Sequence, residues 1–365
     1  VTKGDHMSVR KISLTRGSAA RKALVSATVA VAVSIGSLLT VPAATAAPAS
    51  SAGQPAGNGP SACTRALPIG SSNFVVDFGG EPFNVQVHVP SAPSHKQLPL
   101  VLDLHGSDSN AASQSYVSGL AEIADAEGFI VATPEGNIPF AADGPSGATW
   151  GWNVPGVPLT LGNLPSPDAR DDVAFLRAVV KQIDGAACVD GRRVYATGYS
   201  GGGRMASALA CEASDVFAAI APVAGLRAGR SAAPDYLVPA PGTCEPTHPV
   251  AVVTFHGTAD PVNPYQGNTD PRWGYSTQAA AQEWAHLNDC RVGPVVTQYS
   301  PDVKQYTWSK CSKQADVVLY EVANGGHTWP GSAVPFEAYG AGYSTPEINA
   351  SQTMWDFFKS HQRRG

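Results

Sequence analysis

A serine hydroxyl attacks at neutral pH only with a base beside it, and one serine of this chain stands in a setting suited to that use. Tyr195-Ala196-Thr197-Gly198-Tyr199-Ser200-Gly201-Gly202-Gly203-Arg204-Met205 reads as a strand over 192–197, a sharp turn at Ser200, and a helix from Gly201 to about Cys211. Gly198-x-Ser200-x-Gly202 has the spacing of a nucleophile elbow. Glycine at 198 and 202 lets strand and helix backbones approach where a side chain would not fit. A helix that opens at the serine also directs free N–H groups and the positive end of its dipole toward the reacting oxygen. The motif alone is common, and a glycine-rich turn can contain a serine by chance. Its weight depends on partners.

The base is expected after the serine, with the acid between them. His248, His256, His286, His327 and His361 follow Ser200. His286 lies mid-helix, His361 in the tail, and His248 before a strand, at the wrong end of a sheet. His256 directly follows a strand and competes, although the acids that precede it stand in weak settings. His327 lies in Asn324-Gly325-Gly326-His327-Thr328-Trp329-Pro330-Gly331, a glycine-rich loop where histidine has no packing role. It is the expected base. Asp260 sits in His256-Gly257-Thr258-Ala259-Asp260-Pro261-Val262, on the loop leaving an apolar strand, where it can accept the imidazole N–H and fix its tautomer. Its other reading is an Asx-turn residue before Pro261. Asp270, Asp289, Asp302 and Asp316 also fall between serine and histidine, but none just beyond an expected buried strand.

Acyl transfer needs two donors for the developing oxyanion. The N–H after the nucleophile, Gly201, is one. Ser107, in the loop His105-Gly106-Ser107 after an earlier strand, is assigned as the other. The His105 imidazole is expected as a structural hydrogen-bonding group at the substrate side rather than as a second base. Trp150, Trp152 and Trp329 lie on Gly/Pro-rich loops and, with Tyr199 beside the nucleophile, are candidates for a substrate-binding wall; Trp273 is a weaker one. Asp171 and Asp172 form an acidic pair that a helix start explains through its dipole.

The elements that must position these groups alternate. Residues 73–78 and 83–89 form a hairpin around Gly79-Gly80, and 98–104 (LPLVLDL) has the continuous apolar character of a strand buried on both faces. A helix is expected over 116–127, a strand over 129–133, a long Pro/Gly/Asn loop over 134–167, and a helix over 168–183. After the elbow come strands at 217–223, 249–255 and 317–322, with helices at 277–287 and 348–360. Alternation of this kind implies a mostly parallel α/β sheet with helices on both faces. Ligands then sit beyond the carboxyl ends of the strands, where His105, Ser200, Asp260 and His327 all fall.

Residues 1–46 combine a basic start, an uncharged stretch at 23–40 and Ala44-Thr45-Ala46, the pattern of a secretory signal peptide rather than a membrane anchor. Residues 47–62 read as a flexible spacer, which leaves 63–365 as one catalytic domain in an exported, extracellular protein. Six of the 24 Lys/Arg and one of the 29 Asp/Glu precede Ala47, so the remainder carries 18 basic against 28 acidic residues, a net −10. An acidic chain without a basic stripe argues against a nucleic-acid partner. Cys63, Cys188, Cys211, Cys244, Cys290 and Cys311 suggest three disulfides. Cys290–Cys311 would bracket a hairpin-sized segment, with Cys211–Cys244 and Cys63–Cys188 as the other pairs. No metal-ligand spacing is present, and no cofactor is implied.

Seven segments in order carry a resemblance: LDLHGS (102–107), TPEGN (133–137), WGWN (150–153), DDVAFL (171–176), GYSGGGRM (198–205), HGTADPVNPY (256–265) and GGHTWPG (325–331). With them the chain resembles secreted α/β-hydrolases of the polyhydroxybutyrate depolymerase and feruloyl esterase group. The resemblance implies an α/β-hydrolase fold, Ser200, Asp260 and His327 as a triad, the loop at 105–107 as the oxyanion loop, and ester hydrolysis through an acyl-enzyme. Polyester depolymerases of this kind often carry a linker and a substrate-binding domain after the catalytic part. None is read before Gly365, so soluble or amorphous polyesters and phenolic esters such as feruloyl groups are the expected substrates. A peptidase or amidase would use the same triad, and a non-catalytic binding protein would have no reason to keep all four parts of the machinery.

Overall fold

Leu98 to Leu104, seven consecutive residues without a polar face, are buried throughout and form the strand against which the site is built. The computed structural model describes residues 66–91, 96–144 and 147–364, so the expected signal segment, the spacer and Cys63 lie outside the described residues. The chain runs β1 (Gly70–Phe78), β2 (Glu81–Val89), β3 (Leu98–Leu104), α1 (Ala111–Ser118), α2 (Leu120–Glu127) and β4 (Ile130–Thr133). β5 (Ile138–Gly144), β6 (Gly147–Gly151), α3 (Asp172–Ala187), β7 (Val189–Tyr199), α4 (Gly201–Glu212) and β8 (Ala219–Val223) follow. β9 (Ala251–Gly257), α5 (Thr277–Leu287), β10 (Val292–Ser300), β11 (Val303–Ser309), β12 (Val317–Val322) and α6 (Ala350–Phe358) complete it.

Among the described residues ten strands form one sheet in the order β1-β2-β4-β3-β7-β8-β9-β12-β11-β10. β4, β3, β7, β8, β9 and β12 are mutually parallel. The hairpins β1–β2 and β10–β11 extend it antiparallel at either edge. This is the α/β-hydrolase architecture. Side chains alternate across the sheet as the pleat requires. Leu100, Leu102, Val250 and Val252 face α3, α4 and α5, whose Phe175, Leu209 and Trp284 complete one core layer. Val101, Val253 and Phe255 face α2 and α6, with Leu120, Met354 and Phe358 opposite. Each such side chain contributes about 1.5–3 kcal/mol by leaving water.

Several expectations change. The helix over 116–127 is two helices, because Gly119 takes a left-handed φ of 60° and ends α1 on a bond from its N–H to Ser115 O. The loop over 134–167 contains the β5–β6 hairpin, so Trp150 lies on a strand. β10 and β11 fill the segment between Cys290 and Cys311, with register shifts between Val292 and Val295 and between Gln298 and Ser300. The disulfides Cys211–Cys244 and Cys290–Cys311 form. Cys188 is disulfide-bonded as well.

Asp103, mid-strand in β3, is buried and accepts 2.6 Å bonds from Gln114 Nε2 and Ser118 Oγ on α1. Burial outweighs those bonds and pushes its pKa up from 3.8 to about 7. The folded chain therefore holds this proton better than the unfolded chain does. The stability it lends is complete below about pH 4 and is lost as the pH climbs toward 7. In Asp103→Asn, urea unfolding midpoints should decline less between pH 4 and 7 than in the wild type. Equal declines would show that the carboxyl does not titrate in that window.

Candidate active site

The turn between β7 and α4 places Ser200 at φ 55° and ψ −113°, a conformation that L-residues adopt only under constraint. Three backbones supply the constraint. A Cβ on Gly198 would stand 2.5 Å from Gly202 C and 2.7 Å from Leu104 O, and one on Gly202 would stand 2.5 Å from Leu104 C and 2.6 Å from His105 O. The ends of β3 and β7 and the start of α4 thus meet at a separation only glycine permits. Bonds from Ser200 N to Val223 O (2.8 Å) and from Arg204 N to Ser200 O (3.1 Å) hold the strained residue, and its side chain is largely enclosed.

His327 and Asp260 come together from loops after β12 and β9. A Cβ on Gly257 would overlap Gly325, and Ala259 N donates to Gly325 O at 2.9 Å, so the two loops lie against one another. The His327 Nδ1–H then donates to Asp260 Oδ2 at 2.7 Å, which leaves Nε2 as the acceptor. Asp260 Oδ1 accepts from the N–H groups of Val262 and Asn263, each at 2.8 Å. Burial would raise this carboxyl, but bonds from His256 and His327 hold it well below the usual carboxylate range. Tyr199, next to the serine, donates from its hydroxyl to His327 O at 2.5 Å and lies against the imidazole at 4.9 Å between ring centres. Among the described residues the Ser200 hydroxyl forms no hydrogen bond.

His256, the competing base of the sequence, stands behind the acid instead. Its Nε2 lies 2.8 Å from Asn263 O and 3.2 Å from Asp260 Oδ2, and its Nδ1 meets Thr277 Oγ1 at 2.8 Å. With both nitrogens hydrogen-bonded and the ring buried, it braces Asp260.

The loop after β3 lies against the elbow. A Cβ on Gly201 would stand 2.9 Å from Ser107 N, so the two expected N–H donors are neighbours. His105 is fully buried. Its Nδ1–H donates to Gly106 O at 2.7 Å and its Nε2 accepts from Gly136 N at 2.9 Å, while burial lowers its pKa to about 4. A neutral ring with both nitrogens engaged cannot line a substrate pocket, which corrects its expected place at the substrate; it braces the loop. Trp152 Nε1 donates to His105 O at 2.8 Å from the next layer. Behind it Arg170 Nε bonds Asp172 Oδ1 at 2.6 Å, Asn153 N bonds Asp172 Oδ2 at 2.7 Å, and Arg170 Nη2 bonds Glu135 O at 2.8 Å. Asp171 and Asp172 both stand at the start of α3 as expected: Asp171 is the helix N-cap, accepting from Ala174 N, and Asp172, in the first turn, is in addition a buried ion-pair partner of Arg170.

The aromatic wall divides. Trp329 is buried and donates to Ser351 Oγ on α6 at 2.9 Å, a core position that corrects its assignment to the pocket. Trp152 lines a shallow cleft with Ser107, Gly201, Leu159 and Arg204. Trp150 is half-buried on β6, bridged to Ser109, and Tyr199 is half-buried beside His327. Trp273 lies under the Arg204 guanidinium. The sequence reasoning passed over Arg204 and the role of His256. The available signal was an arginine within an otherwise small and apolar run, GGGRMASALAC.

Residues 83–254 match the family model described as esterase, polyhydroxybutyrate depolymerase. NocK of Nocardia uniformis subsp. tsuyamanensis, named provisionally as an esterase, is 32% identical over 292 residues, 73% of this chain and 76% of that protein. Feruloyl esterase B of Piromyces equi is 32% identical over 238 residues, 64% of this chain, and the chain spans 40% of its length. Among solved structures, an acetyl xylan esterase from Aspergillus awamori superposes with a TM-score of 0.49 at 16% identity, covering 73% of this chain and 97% of that one.

Adding a methyl group at the three-backbone contact tests the geometry. Gly202→Ala should lower unfolding stability by about 2 kcal/mol or more, since backbone must move. Gly191→Ala, where a Cβ meets nothing within 4 Å, should stay close to wild type. Urea unfolding of both variants would expose the contact as unimportant if they behaved alike.

Proposed function

The chain belongs to the polyhydroxybutyrate depolymerase family of esterases, and on that premise we propose that it is an exported serine hydrolase that cleaves polyester or feruloyl-type phenolic esters through an acyl-enzyme. The observation that carries this reading is the buried Asp260–His327 bond beside a serine at a strained elbow. The family match ends at residue 254, before either of those residues, so their juxtaposition supports the reading independently.

In the proposed reaction Ser200 Oγ attacks the ester carbonyl while His327 Nε2 takes the hydroxyl proton. Asp260, ionised and fixed by two backbone N–H bonds, stabilises the imidazolium without taking a proton itself. The N–H groups of Gly201 and Ser107 receive the oxyanion. Collapse returns the proton to the leaving alcohol and leaves an acyl-serine, and water activated by His327 releases the acid. Trp150, Trp152 and Tyr199 are proposed to contact the substrate. Residues 1–46 are proposed as the export signal, 47–62 as the spacer and 63–365 as the catalytic domain. The disulfides fit an oxidising destination. Among the described residues no helix is long and apolar enough to cross a membrane.

Activity on p-nitrophenyl acetate and butyrate, methyl ferulate and amorphous polyhydroxybutyrate tests the proposal. Ser200→Ala and His327→Ala should each lower kcat by about 10³-fold or more on every ester the wild type cleaves. A Ser200→Ala enzyme that kept its rate would remove the nucleophile assignment. The ranking of substrates separates a phenolic esterase from a depolymerase.

A further inference from the structure

Arg204 lies one helical turn beyond Ser200, yet its side chain takes no part in the chemistry described above. It is 4% exposed, and its Nη2 is buried with no hydrogen-bond partner. The guanidinium stacks 4.4 Å over the Trp273 ring, and among the described residues no carboxylate comes within ion-pair distance of it. Arg170, which also has an unpartnered Nη1, differs because Asp172 neutralises it. A buried cation without a counter-charge is costly to keep, and the face of one aromatic ring offsets only part of that cost. Burial and the neighbouring Arg227 push the Arg204 pKa down, while Asp260 and Asp270 act the other way from beyond bonding distance; a guanidinium starts so high that it keeps its proton.

The surroundings add positive charge. Arg227, also buried, donates to Leu226 O (2.7 Å), Asn263 Oδ1 (3.0 Å) and Trp273 O, all neutral acceptors. The cleft holding Ser107 and Gly201 shares Arg204 and Val157 with a second cleft that reaches Arg227 and Arg230. A third, wider cleft continues past Arg227 and Arg230 to Arg272. Two carboxylates stand along this path: Glu212 at the rim of the second cleft, and Asp270, which pairs with Arg272 at 2.6 Å. The wall that leaves the oxyanion donors is therefore cationic, and its innermost member is unpaired.

We propose that Arg204 binds a carboxylate carried by the ester substrate, so that the preferred substrates are acidic esters. Half-esters of dicarboxylic acids and hydroxyacid oligomers with a free carboxyl terminus both have the required chemistry. A guanidinium can take a carboxylate in a bidentate bond, and Arg204, which lines the cleft beside Ser107 and Gly201, has an Nη2 with no partner to give up. The proposal rests on the esterase reading and extends it to substrate charge.

Two matched pairs of esters test it and distinguish which half carries the charge. Mono-4-nitrophenyl glutarate against 4-nitrophenyl butyrate places the carboxylate on the acyl side. The free acid of 3-(3-hydroxybutyryloxy)butyrate against its methyl ester places it on the alcohol side. In one pair the wild type should favour the charged member by at least about tenfold in kcat/KM, mainly through KM. Arg204→Gln should shrink that ratio at least about tenfold, while Arg204→Lys keeps part of it. The ratio is internal to each variant, so partial misfolding does not imitate the result. Equal or neutral-favouring rates in both wild-type pairs, or a ratio unmoved by Arg204→Gln, would overturn the proposal while leaving the esterase reading intact. If the wild type cleaved none of the four, the esterase reading would fail, and calorimetric titration of glutarate would decide the site. Binding that Arg204→Gln abolishes would support it, and no binding, or equal binding to both proteins, would refute it.

Discussion

The close packing of three backbones at the head of α4 governs the rest of the site. Leu104 and His105 carbonyls occupy the space that side chains at 198 and 202 would need. Moving any of the three chains apart would relax Ser200 from its strained conformation and draw Ser107 away from Gly201. The proposed nucleophile and the proposed oxyanion donors therefore share one determinant. The layers behind it, His105 bonded to Gly136 and Gly106 and the Arg170–Asp172 pair tying 135 to 153, keep the β3 loop pressed inward. Such preorganisation lets dipoles act without rearranging during reaction.

Charge is distributed with equal economy. Asp260 receives two backbone N–H groups and two imidazoles, which stabilise its negative charge. Arg204 and Arg227 lie near enough to be influenced by that carboxylate but are not bonded to it. Asp260 thus spends its bonds on two histidines and the backbone, and neither arginine is bonded to it. A stronger bond between acid and arginine would have disabled both.

Sequence patterns exposed the framework well wherever burial is two-sided or helices are amphipathic. β3 and α5 span the residues expected of them, because LPLVLDL cannot face water and Thr277 to Leu287 carries its apolar residues at helical spacing. β10 was hidden because it has hardly a buried residue and so no alternation to detect. The β5–β6 hairpin was hidden by Pro139 and its glycines, which read as loop. Site residues failed for a related reason. His105 and Trp329 stand on irregular segments, which sequence treats as exposed, yet both are enclosed by neighbouring layers that no local pattern announces. Arg204 escaped because a charge on a helix is ordinarily a surface feature; its burial is a property of Trp273 and the cleft, far along the chain.

The outer strand β10 also bears on how the molecule behaves in company. Val292, Val295, Val296 and Tyr299 leave it apolar and exposed at the margin of a large sheet, an arrangement that invites another strand to add on. Its hydrogen-bonding line is broken in two places by the register shifts, and Pro294 lacks an N–H to offer. An incoming strand would find no continuous run of donors and acceptors to copy. Those interruptions make the exposed apolar edge a poorer template for an added strand.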